Sequence, residues 1–237
     1  MIISVIIPTY NSEKYIEEAI LSVVKSIPFE NRDLIIIDGG SNDGTVEVLK
    51  KYEKEISFMI SEKDKGIYDA MNKGISNSKG DYIIFLGSDD RLIFNYNELK
   101  KYLVDNNTSY YGNVKLNPTQ KIYDGKFNLW KFINRNICHQ SILYPKELLI
   151  EYKYELKYRF LADYFMNIQI WKSKKYNFKY IPIIISEYNV LGLSSNNIDI
   201  EFNKNAIKII FDNFGFFGLF LKSLNPIRNL FYSKYGN

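Results

Sequence analysis

The 237-residue sequence holds one cysteine, Cys138, and one histidine, His139. A lone thiol rules out an intrachain disulfide, and one thiol beside one imidazole is too small a set of soft ligands for a zinc site. Neighbours in sequence also point in different directions, so Cys138 and His139 do not form a nucleophile pair. No apolar run reaches the ~18 to 20 residues that cross a bilayer; the nearest approach is the aromatic stretch around Phe211 to Leu221. Charge of one sign is not in excess: 31 basic and 27 acidic residues leave a net +4, too balanced for a surface that binds nucleic acid. No G-x-G-x-x-G opens a helix, which argues against a dinucleotide-dependent dehydrogenase. The opening MIISVIIPTY has neither the basic start nor the small-residue cleavage site of a secretory signal, so a cytosolic protein is expected. What is present is a 46% apolar content, enough to fill a substantial core.

Ile2 to Ile7 is a nearly continuous β-branched run closed by Pro8, the pattern of a strand buried on both faces of a parallel sheet. Ser12 is placed to cap the next helix with Glu13 in its first turn. Ile16, Ala19, Ile20, Val23, Val24 and Ile27 then recur at helical spacing up to Pro28. Leu34 to Ile37 repeats the strand pattern, and the polar cluster 38–44 turns the chain into a second helix carrying Val46, Leu49 and Tyr52. Ile56 to Ile60 gives a third strand, Ile67, Ala70, Met71, Gly74 and Ile75 a third helix, and Tyr82 to Leu86 a fourth strand. This alternation predicts right-handed crossovers and one mostly parallel central sheet flanked by helices. Past Asp90 it weakens. Tyrosine-rich segments between Ser109 and Trp130 read as irregular strands or hairpins, a helix follows Asp163, and a strand at Lys179 to Ile185 closes a domain spanning 1–195. Residues 196–237 form a helical tail.

Ligands of such a sheet lie beyond the carboxyl ends of its strands. The loops gathered there hold Thr9, Tyr10 and Asn11; then Asp38; then Asp64 to Gly66; then Ser88, Asp89 and Asp90. Two adjacent carboxylates repel unless a cation sits beside them. Mg²⁺ or Mn²⁺ would suit them, bound through one or two carboxylates with water and a diphosphate in its other positions. Alternatively, Ser88-Asp-Asp90 turns the chain. Asp38 precedes two glycines, so backbone can approach a flat ligand while the carboxylate accepts a hydrogen bond, as from a pyrimidine; it could also simply start a turn. Lys65 could pair with a phosphate or be a solvated lysine. Asp69 could lie on an exposed helix face.

Four segments stand in order: V-I-I-P-T-Y-N, I-I-I-D-G-G-S-N-D-G-T, E-K-D-K-G-I-Y-D-A-M-N-K-G-I and G-D-Y-I-I-F-L-G-S-D-D. With His139-Gln-Ser and Leu161-Ala-Asp163 further on, the chain resembles the family 2 glycosyltransferases of GT-A fold, particularly bacterial members that build surface polysaccharides. The resemblance implies a GT-A-like, Rossmann-related α/β fold with a helical C-terminal extension. Residues 1–90 would be the nucleotide-sugar-binding half and 91–195 the acceptor-side half. Thr9 and Asp38 would contact a uracil-type base, with Tyr10 and Lys65 also on the donor side. Asp89 would hold the ribose or the metal, and Asp90 the Mn²⁺ or Mg²⁺ that bridges the donor phosphates. Asp163 would be the catalytic base, although its place before Tyr164 and Phe165 also suits a helix cap. His139 and Gln140 would lie on the acceptor side; packing is the alternative for His139. The chain departs from the common Asp-x-Asp metal motif, since Gly87 or Ser88 stands where its first carboxylate often lies.

The implied activity is metal-dependent, inverting transfer of a sugar from a nucleotide diphosphate, UDP above all, to a hydroxyl of a glycan or lipid-linked oligosaccharide. The rivals are a non-catalytic nucleotide- or glycan-binding protein of the same fold and a nucleotidyltransferase. The latter needs a glycine-rich basic loop after the first strand, and Pro8-Thr-Tyr-Asn11 is not one. In the tail, Ile207, Ile210, Phe211, Phe214, Phe217 and Phe220 precede Lys222, Arg228 and Lys234. That segment either lies on the anionic inner face of the membrane as a peripheral contact or packs on the domain or a second subunit. Nothing in the sequence fixes the oligomeric state.

Overall fold

The computed structural model describes residues 1–123, 125–190 and 198–224. The chain opens with β1 (Ile3–Thr9), α1 (Ile16–Ser26), β2 (Arg32–Asp38), α2 (Thr45–Lys51), β3 (Phe58–Ser61), α3 (Ile67–Asn77) and β4 (Tyr82–Phe85). There follow β5 (Arg91–Leu92), α4 (Tyr96–Leu99), β6 (Thr108–Asn117), β7 (Ile122–Tyr123), α5 (Leu129–Asn134) and β8 (Ile142–Pro145). The last elements are α6 (Lys146–Glu151), α7 (Ala162–Lys172), β9 (Asn177–Asn189) and α8 (Ile200–Ser223).

One sheet runs β3-β2-β1-β4-β8-β6-β9-β5, with β7 on the flank of β6. The unbroken apolar run of β1 is explained by its two neighbouring layers. Ile3, Val5 and Ile7 pack with Ile16, Ala19, Ile20 and Val23 of α1, whereas Ile6 belongs to the opposite core with Ala70, Met71 and Ile75 of α3. A strand covered on both faces carries no polar alternation. Gly74 is what lets α3 approach, because a Cβ there would lie 2.4 Å from Ile6 Cγ2.

The expected parallel pairing describes β3-β2-β1-β4. Beyond β4 the sheet is mixed: β8 runs antiparallel to β4 and β6 antiparallel to β8, while β6 and β9 are parallel. A parallel return needs a crossover of a dozen or more residues, usually a helix. Between β4 and β8 the helices are only 4 and 6 residues long.

Ser12 does not cap α1. The N-cap position is Tyr15, with no side-chain cap, because the chain first makes a turn in which the Ser12 carbonyl accepts from Tyr15 N and Ile16 N. The Ser12 hydroxyl instead meets Ser88 Oγ at 2.8 Å. Glu13 therefore precedes the helix, and Glu17 and Glu18 are its first-turn acids. The last strand extends past Ile185 to Asn189, and this extension delivers a residue to the site.

Asp199 caps α8 by accepting from Phe202 N at 2.9 Å. Helical geometry in α8 breaks at Gly215, whose φ is +61°. Phe202, Ile209 and Ile210 are buried in the core of α7, while Ile207, Phe211, Phe216, Phe217 and Phe220 face outward. Among the described residues no helix is long and apolar enough to cross a membrane. Arg228 and Lys234 lie outside the described residues, as does the polar linker at Asn196.

Candidate functional site

Parallel register sets Thr9, the last residue of β1, against Asp38, the last of β2. Thr9 is buried, and among the described residues its hydroxyl has no hydrogen-bond partner. Asp38 is 0% exposed. Its carboxylate accepts from Gly40 N (3.1 Å), Ser41 N (2.9 Å), Ser41 Oγ (2.5 Å) and Ser61 Oγ (2.6 Å). Those four donors match the lone-pair capacity of a carboxylate, so Asp38 shapes the turn that follows β2. A Cβ on Gly39 would fall 2.7 Å from Asp64 Oδ2 and 3.4 Å from Tyr10 Cδ2. Gly39 is buried, and the absence of a side chain there is what lets the Asp64 carboxylate pack over it beside the largely exposed Tyr10. Lys65, next in sequence to Asp64, borders a shallow recess with Tyr68, Asp69, Leu156, Tyr158 and Arg159.

Asp89 and Asp90 follow β4. Asp89 is partly exposed on a pocket of about 220 Å³ that is also lined by Lys14, Glu18, Arg91 and Asn189. Asp90 lines the same pocket but is only 2% exposed, accepting Asn189 N on Oδ1 and Gln140 Nε2 on Oδ2, each at 2.8 Å. Burial pushes the Asp90 carboxyl up to about 6 and raises Asp89 as well. The Asn189 side-chain amide reaches Asp89 Oδ2 at 3.2 Å. Gly87 has a packing reason: a Cβ there would lie 2.4 Å from Asp90 Oδ2 and 3.2 Å from Asp89 Oδ1. The carboxyl of Asp90 fills the space that a side chain at 87 would need.

No group of three or more His, Cys, Asp or Glu among the described residues could hold a metal ion by itself. The residues do fit a hard cation that takes one or two carboxylates and completes its shell with water and substrate oxygens. Asp89 and Asp90 both line the pocket; Asp89 is the more exposed of the two, and Asp90, with one hydrogen bond on each oxygen, keeps acceptor capacity on both.

Asp163 is the second residue of α7, not its cap; the N-cap is Leu161, without a side-chain bond. Asp199 instead accepts Phe160 N and Leu161 N. The Asp163 carboxylate receives Tyr68 Oη on Oδ1 at 2.9 Å and Asn136 Nδ2 on Oδ2 at 2.6 Å, with His139 Nδ1 3.6 Å from Oδ2. His139 opens a 3-10 turn, His139–Ser141. The next residue, Gln140, is buried, its amide committed to Asp90 and to the Cys138 thiol, which donates to Oε1 at 2.9 Å. One short turn therefore links the carboxylate pair after β4 to the carboxylate at the start of α7.

Sequence reasoning missed Asn189 and Asn136, which sit in stretches without pattern, and gave Tyr68 no role because it falls on the apolar face of a helix.

A parallel α/β half with carboxylates at its strand ends, closed by a mixed half with a buried carboxylate, is a GT-A-like architecture of the kind found in sugar transferases. The chain belongs to glycosyl transferase family 2, whose model matches residues 4–152. A PGL/p-HBAD biosynthesis glycosyltransferase of Mycobacterium bovis (strain BCG / Pasteur 1173P2) is 31% identical over 85% of this chain and 82% of its own. The Escherichia coli protein WfgD, a UDP-Glc:alpha-D-GlcNAc-diphosphoundecaprenol beta-1,3-glucosyltransferase, is 28% identical over 98% and 90%. S. aureus TarS 1-349 in complex with UDP-GlcNAc superimposes with a TM-score of 0.72 at 19% identity, over 90% of this chain and 68% of that one. This chain covers only 44% of a longer TarS structure. The mannosyltransferase PcManGT from Pyrobaculum calidifontis, in complex with GDP-Man and Mn²⁺, gives 0.61 at 15% identity, over 78% and 56%.

Proposed function

We propose that the chain transfers one sugar, with inversion, from a UDP-linked donor to a hydroxyl of a glycan or lipid-linked oligosaccharide in bacterial surface-polysaccharide synthesis. The observation that carries this is the placement of Asp163: a buried carboxylate, relieved of capping duty, joined to the Asp89–Asp90 pair by a single turn. The donor named for WfgD and the UDP-GlcNAc bound by TarS support UDP, and the diphosphoundecaprenol of WfgD supports a lipid-linked acceptor.

The base binds at the corner where Thr9 and Asp38 end neighbouring strands beside the exposed Tyr10, the Thr9 hydroxyl having no hydrogen-bond partner among the described residues. Asp89 and Asp90, which line one pocket, would hold the divalent cation between them. The bound cation would neutralise charge developing on the departing diphosphate. Asp163 takes the proton of the acceptor hydroxyl as its oxygen attacks the anomeric carbon from the face opposite the diphosphate. The bond from that carbon to the phosphate oxygen breaks, and its electron pair leaves with the diphosphate. The outward Phe216, Phe217 and Phe220, with Lys222 close by in the sequence, suit a cytoplasmic enzyme resting on an anionic bilayer.

The test is a thermal-shift titration with UDP, GDP and NAD, each with and without Mn²⁺, since a ligand of the native state raises apparent stability. Mn²⁺-dependent stabilisation by UDP is expected; a response to NAD alone, or to none, would sink the proposal. Asp163→Asn should keep UDP binding and lose transfer. Co-sedimentation with vesicles containing phosphatidylglycerol tests the bilayer contact, which an unbound chain would refute.

A further inference from the structure

The surroundings of Asp163 are built to a degree that a surface acid in a first helical turn does not need. Both oxygens are occupied by donors from distant parts of the chain, Tyr68 of α3 and Asn136 just after α5. Asn136 is itself held: its Oδ1 accepts Asn167 Nδ2 at 2.9 Å, and Asn167 Oδ1 accepts Tyr144 Oη at 2.8 Å. Asn167 and Tyr144 are both 0% exposed. Buried polar chains of this kind fix a geometry only when every member is satisfied.

Tyr68 is distinctive. Its one hydroxyl proton has two acceptors at 2.9 Å, Asp163 Oδ1 and the Phe160 carbonyl, and it can serve only one at a time. Burial, then the nearby charge of Asp163, holds the Tyr68 hydroxyl well above its ordinary value, so it remains a donor. An anionic Asp163 is the stronger acceptor; a protonated one is not, and the carbonyl then takes over.

We propose that Tyr68 is a two-position positioning residue for the base: it donates to Asp163 while that group is a carboxylate and turns to the Phe160 carbonyl once Asp163 has taken the acceptor proton, while Asn136 holds the other oxygen. Proton uptake therefore strands no buried donor, whose loss of a partner is otherwise costly. The proton leaves the acceptor hydroxyl, ends on Asp163 and returns to solvent when products leave. The inference rests on the assignment of Asp163 as the base. The other titratable groups around it are His139 of the 3-10 turn, Tyr144 of β8 and Tyr154 between α6 and α7, with Asp199 held on the N–H groups of Phe160 and Leu161.

The test measures UDP release by the full chain from UDP-glucose or UDP-N-acetylglucosamine, whichever is faster, with water as the acceptor. Tyr68→Phe keeps the ring that packs 5.1 Å from Tyr154. It should lower kcat by about ten- to a hundredfold, the weight of one hydrogen bond to a charged group, with KM for the donor unchanged. Asn136→Ala, read in the same way, covers the case in which Tyr68→Phe fails to fold. A folded variant with an unchanged kcat, or one that loses activity through KM for the donor instead, overturns the inference. Full UDP release by Asp163→Asn, or none by the parent chain, overturns the transferase assignment beneath it.

Discussion

Asp90→Asn should trade function for stability in a pH-dependent way. The Asp90 carboxyl is buried, and its proton affinity rises from an ordinary 3.8 to about 6. Desolvation is the main cause, opposed by the hydrogen bond from Asn189 N and aggravated by the charge of Asp89. Between about pH 4 and 6 the folded chain thus holds a proton that the unfolded chain has released, so stability falls as pH rises through this window. A displacement of about two units at 1.36 kcal/mol each gives about 3 kcal/mol. That contribution is fully present below about pH 4 and lost above about pH 6. Asparagine cannot ionise. It also offers only one acceptor oxygen to the two donors on Asp90, a penalty that does not vary with pH. Urea unfolding of both proteins in EDTA from pH 4 to 8 isolates the titration: the variant should gain about 3 kcal/mol relative to the parent over the lower half of that range and nothing more above pH 7. Stability curves that run parallel within about 0.5 kcal/mol would refute the burial argument, since no ordinary surface carboxylate moves this difference. At pH 7.5, Mn²⁺ with UDP should stabilise the parent more than the variant.

Gly87→Ala puts a Cβ 2.4 Å from Asp90 Oδ2 and should cost about 1 to 3 kcal/mol, the range for overpacking. In a chain of this size that lowers Tm by roughly 2 to 4 °C per kcal/mol, and the metal-dependent response to UDP should weaken with it; an unchanged Tm would mean that the loop gives way freely. Among the described residues the buried Tyr154 hydroxyl has no hydrogen-bond partner, so Tyr154→Phe should be neutral or stabilising by about 1 kcal/mol in thermal unfolding. A loss of 1 kcal/mol or more would reveal a partner for that hydroxyl.

The first half of the molecule was legible because its physics is local. β1 and β2 are buried on both faces, so their apolar runs announce a parallel sheet, and in such a sheet the position of the site follows from the strand ends alone. Thr9, Asp38 and Asp89 could be named from that rule. What it could not supply was the state of each group. Asp38 and Asp90 read alike, as acids after strands, yet the first is saturated by its own turn and by Ser61, while the second is nearly buried at the edge of a pocket and held by Asn189 and Gln140. Ser12 was misread for a related reason: a turn before α1 moved the helix start by three residues, and no propensity scale registers a hydroxyl pair such as Ser12 and Ser88.

The second half was opaque because its order comes from ladders between distant segments. β4 meets β8 through Tyr82 and Pro145, and β6 meets β9 across a register shift near Asn113. Such pairings leave little alternation in any one stretch, so Asn136 and Asn189 look like loop residues until the sheet closes. The consequence bears on chemistry. An acid at a strand end can be found from sequence, but whether it holds a cation, shapes a loop or takes a proton depends on neutral partners. Here those partners are two asparagines, a glutamine and a tyrosine, delivered by the half of the chain, and the helix face, where polar pattern is weakest. Exchanging Asp89 for another acid should perturb this site more than exchanging Asn189 for an apolar residue, since the bond from Asn189 to Asp90 comes from a backbone N–H that any such residue keeps, and only the 3.2 Å side-chain bond to Asp89 is lost. Equal loss of Mn²⁺-dependent UDP stabilisation in Asp89→Glu and Asn189→Leu would overturn that ranking.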